Sequence, residues 1–147
     1  MNTYFYIVLV VVCAGLGGCK AKKAAVGAFA DLNGEWNIVE MNGNKLNPAE
    51  TKQFMTLDAS GMILSGHAGC NRMSGRIEHA EWPENNIRFS GVISTRMACL
   101  DMRYEDELFK TLDRIVRFER EEPGETGAQA VAFYGTDGGK LLVIEKK

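Results

Sequence analysis

The firmest constraint on folding is a rhythm of strand-length runs broken by turn-forming residues and interrupted once by a helical period. Glu35 to Met41 reads as a first strand that offers Trp36, Ile38 and Val39 to a core, and Asn42-Gly43-Asn44 closes it with a turn signal. Leu46 to Lys52 contains Pro48 and reads as an irregular segment or one helical turn. Gln53 to Asp58 and Met62 to His67 flank a turn at Ala59-Ser60-Gly61. Arg72 to His79 follows, then a turn at Pro83-Glu84-Asn85, with Trp82 placed for exposure beside it. Asn86 to Ser90 alternates, with Ile87 and Phe89 on one face, and Val92 to Met97 extends the pattern. Ile115 to Arg120, Gln129 to Tyr134 and Lys140 to Glu145 complete the strands, the last two joined across Asp137-Gly138-Gly139.

Met102 to Asp113 departs from this rhythm. Tyr104, Leu108 and Leu112 recur every four residues with Phe109 beside them, while Glu105, Asp106, Glu107 and Lys110 are assigned to water or polar neighbours. That spacing predicts an amphipathic helix with Asp101 as its N-cap. Many short strands and one helix predict an α+β fold, mainly antiparallel β. Its sheet is curled or barrel-like, with the amphipathic helix against it.

The amino terminus predicts an address. Residues 1–18 hold no Asp, Glu, Lys or Arg, and Tyr4 to Val12 is almost wholly apolar. Spanning a bilayer takes roughly 20 apolar residues of helix, so this run suits a signal peptide instead. Leu16-Gly17-Gly18-Cys19 resembles the lipobox of bacterial lipoproteins, whose cysteine thiol accepts a diacylglycerol. Lys20, Lys22 and Lys23 then open a short tether that runs to Ala30. An ordinary cleaved signal or an uncleaved anchor is the competing reading, and Ala28-Phe29-Ala30 offers an Ala-x-Ala site beyond the lysines. The expectation is a lipid on Cys19 that holds the chain to a membrane of the bacterial envelope, the outer membrane in preference. The domain then lies in the periplasm or at the cell surface, as a monomer.

Removing residues 1–18 leaves 129 residues at an unchanged net charge of -2. This length fits one domain with its own core, and the charge gives no footprint for nucleic acid. With Cys13 in the signal and Cys19 lipidated, Cys70 and Cys99 remain as a pair in an oxidising compartment. They either bridge or pack as two buried thiols.

Two motifs add a family. Ser65-Gly66-His67-Ala68-Gly69-Cys70-Asn71-Arg72-Met73-Ser74-Gly75 is followed by Ser94-Thr95-Arg96-Met97-Ala98-Cys99, and then by Glu107 in the helix. Together with Trp36 they resemble the META domain of HslJ-like heat-shock lipoproteins over roughly residues 31–147. The family motif falls on Gly69, Cys70, Asn71, Arg72, Ser94, Thr95, Arg96 and Cys99. The resemblance implies a compact domain of antiparallel strands and helix on envelope proteins tied to stress response or antibiotic tolerance, with no enzymatic mechanism.

The motif residues have structural readings beside functional ones. Gly66, Gly69 and Gly75 permit turns or close backbone approach. Arg72 and Arg96 are placed to pair with a carboxylate, with Glu107 as partner, or to form an anion pocket with Thr95. His67, Cys70, His79 and Cys99 invite zinc, but without a Cys-x-x-Cys pair. A thiol enzyme or small hydrolase using Cys70 with a nearby histidine is the alternative class, and a bridge to Cys99 abolishes it. The reading adopted is no catalytic residue, no metal and no cofactor. The chain is a non-catalytic envelope module that binds a protein, a peptide or an apolar ligand, the last within an incompletely covered barrel.

Overall fold

The structure, a computed structural model, describes residues 27–147. The expected signal, Cys19 and the tether lysines lie outside the described residues. A short 3-10 turn at Phe29–Leu32 leads into β1, Gly34–Met41. A two-residue strand β2, Asn44–Lys45, folds back on β1 before the single turn α1, Pro48–Thr51. Strands β3 (Phe54–Asp58), β4 (Ile63–His67), β5 (Arg72–Glu78) and β6 (Arg88–Ser94) form an antiparallel meander. Helix α2, Arg103–Leu112, follows, then β7 (Arg117–Glu121), β8 (Ala130–Tyr134) and β9 (Lys140–Lys146).

All these strands join one curled antiparallel sheet in the order β6-β5-β4-β3-β1-β9-β8-β7, with β2 beside β1. The ends of the path approach each other. Ile87 N–H donates to the Val116 carbonyl at 3.1 Å and Phe118 N–H to the Asn85 carbonyl at 2.9 Å. Beyond this short seam the sheet stays open, and α2 lies in the opening with Leu108 and Leu112 fully buried. The predicted fold class is therefore the observed one.

The core follows from strand alternation. Trp36 and Ile38 of β1, Met55 and Leu57 of β3, Leu64 of β4, Val131 and Phe133 of β8, and Leu142 and Ile144 of β9 meet in one buried cluster. Fully burying side chains of this size is worth roughly 1.5–3 kcal/mol each, before chain entropy is subtracted. The Trp36 indole N–H is satisfied by the Leu32 carbonyl at 2.7 Å, which fixes the entry turn below β1.

Three sequence expectations change. The segments read as Asn86–Ser90 and Val92–Met97 contribute to one strand, Arg88–Ser94, bent by a register shift opposite Ser74–Arg76 with Gly91 at φ +57, and Thr95 to Met97 leave it. Asp101 is not the N-cap: Met102 holds that position, and Asp101 instead accepts the Arg103 backbone N–H at 3.0 Å. Phe29, assigned to the tether, stacks on His79 with ring centroids 3.9 Å apart and packs against the core. An aromatic ring gains more from that apolar edge than from water, so the domain begins earlier than the alanine-rich composition suggests.

Candidate functional site

The motif residues converge at the end of the sheet opposite the Phe29 entry turn. Two loops meet there: Ala68 to Asn71 between β4 and β5, and Thr95 to Met102 between β6 and α2. The first loop and the end of β4 that leads into it need glycine. Gly69 stands at φ +120, and a methyl group on Gly66 would overlap the Phe54 carbonyl oxygen of the paired strand.

Asn71 organises the junction. Its side chain is buried, and all its hydrogen-bonding capacity is used. Asn71 Oδ1 accepts from the Thr95 hydroxyl at 2.8 Å and from Met97 N–H at 2.7 Å. Asn71 Nδ2 donates to the Met97 carbonyl at 3.3 Å and to Glu105 Oε1 at 2.8 Å. Glu105, on the inner face of α2, is also buried. Its Oε2 accepts the backbone N–H of Asn71 at 2.7 Å and of Cys70 at 3.3 Å. Buried polar groups of this kind persist only when matched, so the network fixes both loops against the helix. Gln53, also buried, extends it by donating from Nε2 to the Ala68 carbonyl at 2.8 Å and the Tyr104 carbonyl at 3.0 Å. Gln53 Oε1 is buried without a partner among the described residues.

Cys70 and Cys99 are disulfide-bonded, with Cα atoms 6.1 Å apart and a sequence separation of 29. A loop of that size contributes about 3–4 kcal/mol in the chain-entropy account. The bond ties the β6–α2 loop to the β4–β5 loop at the point Asn71 already holds.

The loop held in this way packs nothing inside. Thr95 to Asp101 are all exposed, Met97 at 62% and Leu100 without measurable cover. Arg96 is exposed beside them, and Arg72 stands nearby on β5. Arg72 and Thr95 line one shallow cleft with Ser94 and Ile93; Arg96 is not part of it.

The expected Arg72–Arg96–Glu107 ion pairing is not present. Glu107 accepts from Asn42 Nδ2 at 2.8 Å, and neither arginine forms an ion pair with a described residue. The carboxyl group that serves the motif is Glu105, and it serves backbone N–H groups. The sequence carried one usable signal for it: Glu105, Leu108 and Leu112 share a helical face as well as Tyr104, Leu108 and Leu112 do. Residue type alone sent Glu105 to water.

The two histidines lie apart. His67 accepts Gly69 N–H at Nδ1, 3.2 Å away, beside the motif. His79 sits at the far end, bonded through Nδ1 to the Asn86 carbonyl at 2.8 Å. With Cys70 bound to Cys99, its sulfur is not a thiolate nucleophile. Among the described residues no three metal-ligating side chains converge. Trp82, at 82% exposure, stands on the β5–β6 turn at the Phe29 end.

The concave side of the sheet is filled by the core cluster. A cleft of about 510 Å³ lies instead on the outer face, over β1, β8 and β9.

These features define a small open half-barrel plugged by one helix, with a stapled loop at its mouth. A sequence model of the META domain matches residues 30–147, and the chain belongs to that family. An NMR structure of a protein from Burkholderia xenovorans is similar in fold, with a TM-score of 0.60 at 19% identity; the match covers 88% of this chain and 96% of that one. A crystal structure of a DUF4847 family protein from Bacteroides vulgatus has a TM-score of 0.54 at 11% identity, covering 81% and 94% of the two chains. No curated protein matches the sequence at a significant level.

Proposed function

We propose that the chain is a membrane-anchored, non-catalytic module of the bacterial envelope, held by lipid on Cys19, which acts by presenting its motif loop to a partner protein under envelope stress. One observation carries the reading. A disulfide, a fully bonded buried asparagine and a buried glutamate all fix a loop whose own side chains Arg96, Met97 and Leu100 face solvent. Core packing does not explain that arrangement. Binding does, because a loop ordered in advance loses less entropy on association. Exposed apolar side chains next to arginine are also the composition of protein-contact centres.

The anchor reading rests on Leu16-Gly17-Gly18-Cys19 behind an apolar run. The described domain begins at the end of the sheet opposite the loop. An anchor at residue 19 would join the domain at that opposite end, which keeps the loop free for a protein partner. The filled concave face argues against an acyl chain inside the sheet.

The test is a photo-crosslinking residue at position 100 in intact cells, compared with one at position 136 in the β8–β9 turn. A discrete protein adduct from position 100 alone is expected. Equal labelling from both positions, or none from position 100, removes the loop as the contact. Intact mass of membrane-extracted chain checks the anchor separately, with a start at Cys19 and added acyl mass expected.

A further inference from the structure

We propose that the outer-face cleft is a second docking site, distinct from the motif loop, for an extended segment of another polypeptide in which apolar residues alternate with lysine or arginine. The cleft runs between two walls: Leu46 and Pro48 on one side, and the β7–β8 turn through Gly124 and Thr126 on the other. Val39, Ala130 and Val143 form its floor. Ala130 and Val143 are themselves buried and Val39 is half-buried, but none of the three belongs to the central cluster. Leu142 and Ile144 belong to the central cluster, whereas Val143 between them points to the opposite face and is absent from it. The apolar surface left at the cleft comes from its small floor side chains together with Leu46 and Pro48 on the wall.

The rim identifies the occupant. Among the described residues, Glu40, Glu121, Glu122, Glu125 and Glu145 line the cleft with Lys45 and Lys140. Lys140 is engaged already by Glu121 at 2.8 Å, and Glu145 bonds only a neutral group, the Thr126 hydroxyl at 2.9 Å. Glu40 and Glu125 have no hydrogen-bond partner among the described residues, although Glu40 feels the charge of Lys140. Counted without Glu122, and among the described residues, Glu40, Glu121, Glu125 and Glu145 still outnumber Lys45 and Lys140, so the rim carries excess negative charge with apolar surface beneath it. A divalent cation does not fit, because the carboxylates are spread along two walls and no three ligating groups converge among the described residues. An extended peptide fits both parts. Its side chains alternate in direction, so apolar residues reach the floor while lysine stems lie along it and place ammonium groups at the rim.

The experiment uses the full chain in mild detergent and a short fluorescein-labelled peptide of alternating lysine and valine, read by anisotropy. Saturable binding is expected. It should weaken about tenfold between low and high salt as the rim charges are screened. It should be absent for the matching glutamate–valine peptide. The double variant Glu40→Lys with Glu125→Lys changes one half-buried and one exposed rim group and should weaken binding at least about tenfold while thermal unfolding stays unchanged. Binding that survives both rim substitutions, or that does not distinguish the two peptides, overturns the proposal. Carbodiimide treatment of the chain without peptide supplies a further outcome, with the Lys140–Glu121 pair as internal control. Crosslinks from Lys20, Lys22 or Lys23 to Glu125 would give the groove to the chain's own basic segment and overturn a separate partner. Position 100 plays no part in these measurements, so failure here leaves the loop reading standing.

Discussion

Glu105 occupies a position on α2 where burial favours an apolar side chain, three residues before Leu108 on the inner face. It is stable there because its two oxygens meet three donors, from Cys70 N–H, Asn71 N–H and Asn71 Nδ2. Glu105→Gln keeps one acceptor oxygen but turns an amide N–H₂ towards those donors. The change should cost about 2–4 kcal/mol, since the two buried Asn71 donors are left without a full set of acceptors. Glu107→Gln, two residues along on a half-buried group bonded to exposed Asn42, should stay within about 0.5 kcal/mol. Urea unfolding of the two variants checks this, and equal losses would remove the network from the account. The motif itself was legible in the sequence, down to Asn71 and the cysteine pair as candidates. The partner was not. A glutamate in a helix reads as a solvated residue unless the orphan N–H groups that need it are known, and those lie 34 and 35 residues earlier in the chain.

Elements were legible where period and punctuation agreed. Helix α2 stands within one residue of its expected ends, because the four-residue recurrence of apolar side chains has no competing strand pattern. Strand β6 was not legible as one element. Gly91 separates two alternating halves, and only pairing with β5 shows that the register shift there is a bulge within a continuous strand. The start of α2 makes a prediction of its own. Asp101 is held well below the usual carboxylate range, at about 2, chiefly by hydrogen bonds from the Arg103 guanidinium and also from its backbone N–H. A depressed carboxyl pKa stabilises the fold above the unfolded value near 4 and loses that effect as pH falls through the folded value. The contribution of Asp101 should therefore disappear between about pH 4 and pH 2. Because the pair is exposed, the effect is small and should diminish in salt. The carboxyl carbon of Asp101 in an NMR titration should show a midpoint near 2, and Arg103→Gln should move it upward. A midpoint unmoved by that substitution would assign the shift elsewhere.

The whole molecule divides into a core that holds itself and a mouth that is held. Strands β1 and β9 lie in the middle of the sheet, each with a strand on either side, and carry Trp36, Ile38, Leu142 and Ile144 at no exposure. Strands β6 and β7 end the sheet path, joined only through the seam near Asn86 and Arg117. At the mouth, Thr95 N–H bonds the Arg72 carbonyl at 3.0 Å and Met97 N–H bonds Asn71 Oδ1, but the loop buries no apolar side chain. Local opening should follow this division, with β1 and β9 exchanging their amide hydrogens only on global unfolding. Reducing the Cys70–Cys99 bond tests how the parts are coupled. The staple constrains the unfolded chain and the mouth, while the core cluster contains neither cysteine. Reduction should therefore lower global stability by about 3–4 kcal/mol and speed exchange at Thr95 and Met97 far more than that global loss explains. The β1 and β9 amides should slow or quicken only in step with the global term. If reduction instead releases β1, β9 and the loop to the same extent, the staple supports the whole domain. The loop would then lose its claim to be a separately ordered surface, because its rigidity would be only the rigidity of the fold.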